Sequence, residues 1–359
     1  MKKAQLIPYH YNMNKLMQIK NNIILYVASL IILFLTTGYA LLNETLSVEA
    51  TGIIGVPTKS KLSEVILSNE EATLNTGDGL YEYNSKYYYS GANVNNYVIY
   101  NEEIWRIVSI EENGSVKITK EEVVSTELIA QLENDGNFWF NNSNDTNLQK
   151  QIKNDGQIPF DYRKRRPNPE TLENAYCILN SNGCNAYDKG NFLNKIVSTE
   201  SLMKLYLEQV YFPNMTTLAK EQVENYTLNI GIVETNKTID VILESEKTNQ
   251  IISNIGLLNI SDYVYATHDT TCRKGFDKIN CATENWLTIP DYSFSLLNGK
   301  YTSANAQMWI VTTTGQIISR DANNRFYLRP VVVLNKNITA TGTGNKENND
   351  MYVLGDIIQ

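Results

Sequence analysis

An uncharged apolar run, Ile23 to Leu42 (IILYVASLIILFLTTGYALL), constrains this chain more than any other feature. As a helix rising 1.5 Å per residue, a run of that length reaches about 30 Å, the thickness of a bilayer core. Lys2, Lys3, Lys15 and Lys20 precede it, and basic flanks stay on the cytoplasmic side. The expectation is a basic cytoplasmic tail over 1–22 and one N-terminal transmembrane helix or signal anchor over 23–42. The membrane is then the first partner, and the C-terminal bulk of this single-pass chain is extracellular. A cleaved secretory signal is the competing reading, since Gly38-Tyr39-Ala40 offers a small-x-small cleavage pattern. In that case the protein is secreted. Either way, the chain beyond residue 43 works outside the cell.

Charge narrows the partners. The net charge is −8 over 359 residues, and phosphate backbones need clustered Lys and Arg. Nucleic acid is therefore not an expected partner. One basic cluster interrupts the acidic chain, Arg163, Arg165 and Arg166 within RKRRPNP. It is a candidate contact for an anionic wall polymer or headgroup, against the plainer reading of a solvated loop.

Four cysteines, all beyond residue 43, form two close pairs. Cys177 and Cys184 enclose ILNSNG; Cys272 and Cys281 enclose RKGFDKIN. Four cysteines allow three pairings, and closing each local loop is the simplest. Outside the cell such bridges persist, each contributing roughly 2–3 kcal/mol.

Residues 43–74 read as a membrane-proximal stalk with a short helix, because Leu62, Val65 and Ile66 keep helical spacing. The tyrosine-rich stretch NTGDGLYEYNSKYYYSGANVNNY reads as loop and turn. Beyond it, Tyr97 to Tyr100, Ile104 to Ile110 and Val116 to Thr119 make a three-strand meander, with Asn113-Gly114 as a hairpin turn. Leu202, Leu205, Tyr206 and Val210 line a helix over 200–211 that Pro213 ends. A second helix comes next, at about 215–224. YTLNIGIVE, IDVILES, Gln307 to Val311, Gln316 to Ser319 and Tyr327 to Leu334 read as strands, and NKNITATGTGNKENND as a loop. Strands first, helices between and strands last give an α+β domain over 75–345 with a mainly antiparallel twisted sheet. Residues 346–359 make a C-terminal end.

Several phrases together resemble a family of exported domains of low-GC Gram-positive bacteria. They are YYYSGANVNNYVIYNEEIWRIVSIEENGSVKI, GCNAYDKGNF, ESLMKLYLEQVYFPNM, SDYVYATHDTTC, CATENWLTIPDYSFSL and YLRPVVVLNKNITATGTG. The resemblance implies a C-type-lectin-like fold, similar to that of the formylglycine-generating enzyme, and no established activity. The calcium-dependent sugar-binding triplets of C-type lectins are absent, as are the copper-binding cysteines of the formylglycine-generating enzyme, so neither activity carries over.

Catalytic constellations are sparse. His268 is the one histidine beyond residue 43, and with the cysteine pairs it fits no zinc spacing. A thiolate nucleophile needs a free cysteine, and no Gly-x-Ser-x-Gly accompanies a Ser-His-Asp arrangement. His268-Asp269-Thr270-Thr271 reads as a polar loop entering a bridged turn. Glycoside hydrolysis needs two suitably spaced carboxylates; Glu102, Glu103, Glu121, Glu122, Asp161 and Glu284 are candidates that sequence cannot pair. No cofactor is expected. Asp145 in NNSNDTN is a weak calcium candidate that lacks the ordered loop spacing.

Aromatic residues carry the sharper hint. Tyr87, Tyr88, Tyr89 and the loop-borne Trp139 are candidate ligand contacts, with Tyr81 and Tyr83 clustered beside them. Tyrosine suits recognition because it offers area and a hydroxyl with few rotors. Trp105, Trp286 and Trp309 read as core, and Arg329 as paired inside the domain. The reading is a membrane-anchored recognition or adhesion protein of the bacterial envelope, with a glycan or protein ligand. A carboxylate-dependent envelope hydrolase and a structural or assembly subunit are the alternatives.

Overall fold

Alternation of β-branched and aromatic residues over 97–120 builds the centre of the molecule. In the computed structural model the described residues are Val27, Ser29, 59–70, 77–132, 150, 152, 154–159, 187, 190–192, 195–197, 200–234, 238–269, 281–300, 307–322 and 324–358. The chain divides into two units, Met1–Thr58 and Lys59–Gln359. Of the first, only Val27 and Ser29 are described, both helical. The rest of the 23–42 run lies outside the described residues, and among those described no helix is long and apolar enough to cross a membrane.

The second unit is α+β, with mostly antiparallel sheets. Its largest sheet joins β1 (Gly79–Tyr83), β2 (Lys86–Ser90), β3 (Tyr97–Tyr100), β4 (Glu103–Ile110), β5 (Val116–Lys120), β15 (Val331–Leu334), β16 (Ile338–Thr341) and β17 (Tyr352–Ile357). One edge of β4 pairs with β5; the other is shared by β3, along 103–106, and β2, at 109–110. The meander is thus as expected, and Gly114 closes its second turn with φ +87, a conformation that a side chain resists. The smaller pairs and sheets are β6 (Ile158–Pro159) with β14 (Arg325–Phe326), β7 (Gly190–Phe192) with β8 (Lys195–Val197), β9 (Tyr226–Asn229) with β10 (Gln250–Ser253), and β11 (Phe294–Lys300), β12 (Gln307–Val311) and β13 (Ile317–Asp321) in order.

Helices α1 (Leu62–Asn69), α2 (Thr126–Leu132), α3 (Leu202–Tyr206), α4 (Thr217–Glu221), α5 (Ile239–Lys247) and α6 (Ile260–Tyr265), with short helical turns at Leu207–Tyr211, Phe212–Asn214 and Cys281–Glu284, complete the described elements. The expected helix over 200–211 is present, but its second half, Leu207–Tyr211, is wound as a π-turn.

Four expectations are corrected. IDVILES is helix α5, not a strand: Ile242 and Glu246 are buried one turn apart on one face, the helical period. The tyrosine-rich 79–90 stretch is the β1–β2 hairpin, turning at Asn84 and Ser85, both at positive φ. NITAT supplies β16 rather than a loop. The domain boundaries also widen. Helix α1 buries Leu62 and Ile66, Lys61 bridges Thr339, and β17 enters the main sheet parallel to β3. The folded unit therefore takes in both the helix assigned to the stalk and the C-terminal end.

Register sorts the sheet into two faces. Val98, Trp105 and Lys120 align across β3, β4 and β5, with Ile107 opposite Ile118; this is the core face, where Trp105 is fully buried and meets Tyr100 edge-on at 5.0 Å. Trp286 and Trp309 are also core residues, as expected. The opposite face carries a polar row. Tyr81, Tyr88, Ser109 and Lys117 align across β1, β2, β4 and β5. A bulge between Ile107 and Ser109 sets that alignment, because an extra residue re-aims the strand beyond it. Helix α6 lies against this row.

Candidate functional site

The polar row and helix α6 together build a ladder of aromatic rings. Tyr88 and Tyr265 stack at 4.6 Å between centroids, and Tyr83 meets Tyr265 at 4.7 Å. Tyr81 is parallel to Tyr83 at 6.5 Å, and His268 is parallel to Tyr81 at 6.1 Å. Offset stacks at these separations are favourable beyond the area they bury. Tyr81, Tyr88 and Tyr265 are buried, whereas Tyr83 and His268 are half-buried. The inner rings therefore hold the outer two in place.

His268 also has a polar neighbour that no sequence motif announces. Its Nδ1 is 3.8 Å from Asp78 Oδ1, with side-chain exposures of 28% and 25%, and it has no hydrogen-bond partner among the described residues. Asp78 is fixed in turn, since the Asn93 N–H donates to its Oδ2 at 2.7 Å. Gly91 makes that placement possible. A Cβ there would stand 2.1 Å from Asp78 Oδ1, and its φ is +119.

The scaffold beneath is bonded on several sides. The Ser90 hydroxyl donates to the Tyr265 carbonyl, the Gly91 N–H to the Ala266 carbonyl at 3.0 Å, and the Trp286 N–H to the Gly91 carbonyl at 2.9 Å. The Trp286 indole donates to the Tyr89 carbonyl at 2.7 Å.

Below the ladder is a buried ionic network. Lys117 Nζ is 3.0 Å from Asp262 Oδ1 and 3.9 Å from Glu111. Glu111 also accepts from Lys86 at 2.6 Å, Ser109 at 2.7 Å and Tyr226 at 2.7 Å. Burial pushes Glu111 up, but the charges of Lys117 and Lys86 and the hydrogen bonds from Lys86 and Ser109 bring it down to about 2. Burial pulls Lys117 down, but Asp262, Tyr226 and Glu111 hold it well above its ordinary value. Glu246 behaves oppositely. Burial raises it to about 8, although Ser261 donates to it through both its N–H, at 2.9 Å, and its hydroxyl, at 2.6 Å. Ionised groups taken out of water must be paired or neutralised, and here the network does both.

Of the residues singled out from sequence, Tyr88 and Tyr89 are buried and Tyr87 is half-buried against the core. Strand β2 turns them inward, so Tyr88 supports the ladder from behind and the half-exposed ring is Tyr83. Trp139, Arg163, Arg165 and Arg166 lie outside the described residues, as do Cys177, Cys184, Cys272, Asp145 and Asp161, and nothing of the Cys281 side chain is described. Glu103 pairs with Lys120 at 2.5 Å and Glu121 with Lys346 at 2.9 Å. Arg329 pairs inside the domain as expected, donating to the carbonyls of Lys120, Leu287 and Glu121. Among the described residues no three His, Cys, Asp or Glu side chains converge as metal ligands would. Asp78 and Tyr265 are site residues that sequence reasoning missed, and His268, read from sequence as part of a polar loop, joins them. The glycine at 91 was the available signal, since a glycine beside a strand end often marks a close approach.

No family model, curated protein or solved structure matches this chain.

Proposed function

We propose that this is a membrane-anchored recognition or adhesion protein of the bacterial envelope, held by 23–42, with its ligand face at the aromatic ladder. The observation that carries the reading is the pair of half-buried rings, Tyr83 and His268, stacked on either side of the buried Tyr81 beside Asp78. Preplaced aromatic faces next to a carboxylate and an imidazole suit a ligand with apolar faces and hydroxyls, such as a glycan. The α+β build with mostly antiparallel sheets is the coarse feature behind the C-type-lectin-like fold, which we propose from the sequence resemblance. We take the ligand to be a glycan or a glycosylated protein and the working face to be extracellular. The local bridges Cys177–Cys184 and Cys272–Cys281 belong to the same proposal.

A hydrolytic reading draws on one observation, the Asp78–His268 pair, which has the makings of a general base with its orienting carboxylate. A glycan array probed with the full-length chain in detergent tests both readings. Saturable binding without product supports recognition. Release of cleaved glycan overturns it in favour of hydrolysis, and a blank array removes the glycan.

A further inference from the structure

A second cluster stands on the same sheet face at β3 and does not depend on the ladder. The Arg106 guanidinium lies over the Tyr97 ring at 3.8 Å and against Trp286 at 4.7 Å. Lys346 Nζ, from the connection between β16 and β17, is 5.2 Å from the same Tyr97 ring. Arg329, fully buried, lies 5.3 Å from Phe294 and reaches the backbone of Glu121. The Glu121 carboxylate holds Lys346 at 2.9 Å through both oxygens, whereas Arg329 reaches only the Glu121 backbone carbonyl and Arg106 feels that carboxylate only through its field.

The charge does not balance. Burial brings Arg106 down to about 10 and Arg329 to about 9, and Arg106 itself weighs on Arg329. Glu121 acts on both guanidiniums while already paired to Lys346. Arg106 donates to neutral acceptors, the Asn96 side chain and the Val94 carbonyl at 3.5 Å. Buried cations in low-dielectric surroundings project their field toward the nearest opening. The cluster meets solvent at Tyr97, half-buried, and at Lys346, whose side chain is 42% exposed. In a chain of net charge −8, this local excess of positive charge is out of keeping with the rest.

We propose that the Tyr97–Lys346 edge is an anion-binding site that takes a carboxylate or phosphate group of a partner. Lys346 exchanges Glu121 for the incoming oxygens, and the fields of Arg106 and Arg329 hold the anion from behind. Ion-assisted hydrogen bonds of this kind are the strong class.

Equilibrium dialysis of the full-length chain in detergent against labelled inorganic phosphate, and separately labelled acetate, at fixed ionic strength tests this. One saturable site is expected for at least one probe. Preference for phosphate assigns the anion to a phosphodiester polymer, and preference for acetate to a peptide or sugar carboxylate. Lys346→Gln weakens binding by about tenfold, while Glu121→Gln, which removes the internal competitor, tightens it several-fold. Near-ultraviolet dichroism checks that both variants keep the native core. Absence of a saturable site in the native chain, or equal affinity in native chain and both variants, overturns the proposal.

Discussion

Lys117 on β5 and Asp262 on α6 stand 145 positions apart in sequence, yet their charged atoms meet at 3.0 Å in the interior. This pair joins the central sheet to the helix that carries Tyr265, so the ladder depends on it. Removing Lys117 takes away the cation that faces the buried Asp262, and removing Asp262 leaves the buried Lys117 with only the more distant Glu111, at 3.9 Å. Asp262→Asn and Lys117→Met should each destabilise by about 3–5 kcal/mol, while the double variant loses less than the sum. Urea denaturation of the four forms of the full-length chain measures the coupling. Strictly additive losses would mean that the contact carries no interaction energy.

Glu246 and Glu111 give this network opposite pH dependences. Glu246 is raised from 4.5 to about 8 by burial, so the native state holds its proton more tightly than the unfolded chain. Its contribution is full below about pH 4.5 and is lost as pH rises through 8. Glu111 is lowered to about 2, so its contribution is full above about pH 4.5 and is lost as pH falls toward 2. Stability should therefore decline between pH 5 and 8 by a few kcal/mol, and Glu246→Gln should flatten that slope. An unchanged slope in the variant contradicts this assignment.

Gly91→Ala brings a Cβ to 2.1 Å from Asp78 Oδ1 at a φ of +119. The variant should lose about 1–3 kcal/mol, and the Asp78 carboxylate should move away from His268. Histidine ring resonances in an NMR spectrum report that displacement. A native-like spectrum at native stability would show that the turn has room to spare.

Much of the architecture is legible in the sequence, for identifiable reasons. The meander is announced by β-branched runs and Asn113-Gly114, and α3 by apolar residues at helical spacing. Helix α5 is hidden because its inward face pairs Ile242 with Glu246, and a buried glutamate reads as a solvent residue. The β1–β2 hairpin is hidden because Asn84 and Ser85 take positive φ without glycine. At the candidate site, the tyrosine cluster and His268 could be noticed separately. Their meeting with Asp78 and Tyr265 is a product of strand register and helix docking, which local pattern does not encode. The burial of Tyr88 and Tyr89 is equally hidden, because consecutive tyrosines say nothing about which face of a strand is covered.

Peptide mass spectrometry of the non-reduced protein should find Cys177 linked to Cys184 and Cys272 to Cys281. Losing either bridge should lower stability by roughly 2–3 kcal/mol. Free thiols, or a link from Cys177 to Cys272, would reject both the local pairing and the oxidising location it assumes.

The most direct measurement concerns the ladder itself: binding of the full-length chain to purified bacterial wall glycan, compared among the native protein, Tyr83→Ala and His268→Ala. Saturable binding in the native chain, weakened by at least about tenfold in each variant without loss of folding, is the predicted result. Undiminished binding in both variants, or breakdown of the glycan during the assay, would contradict a recognition face built on these rings.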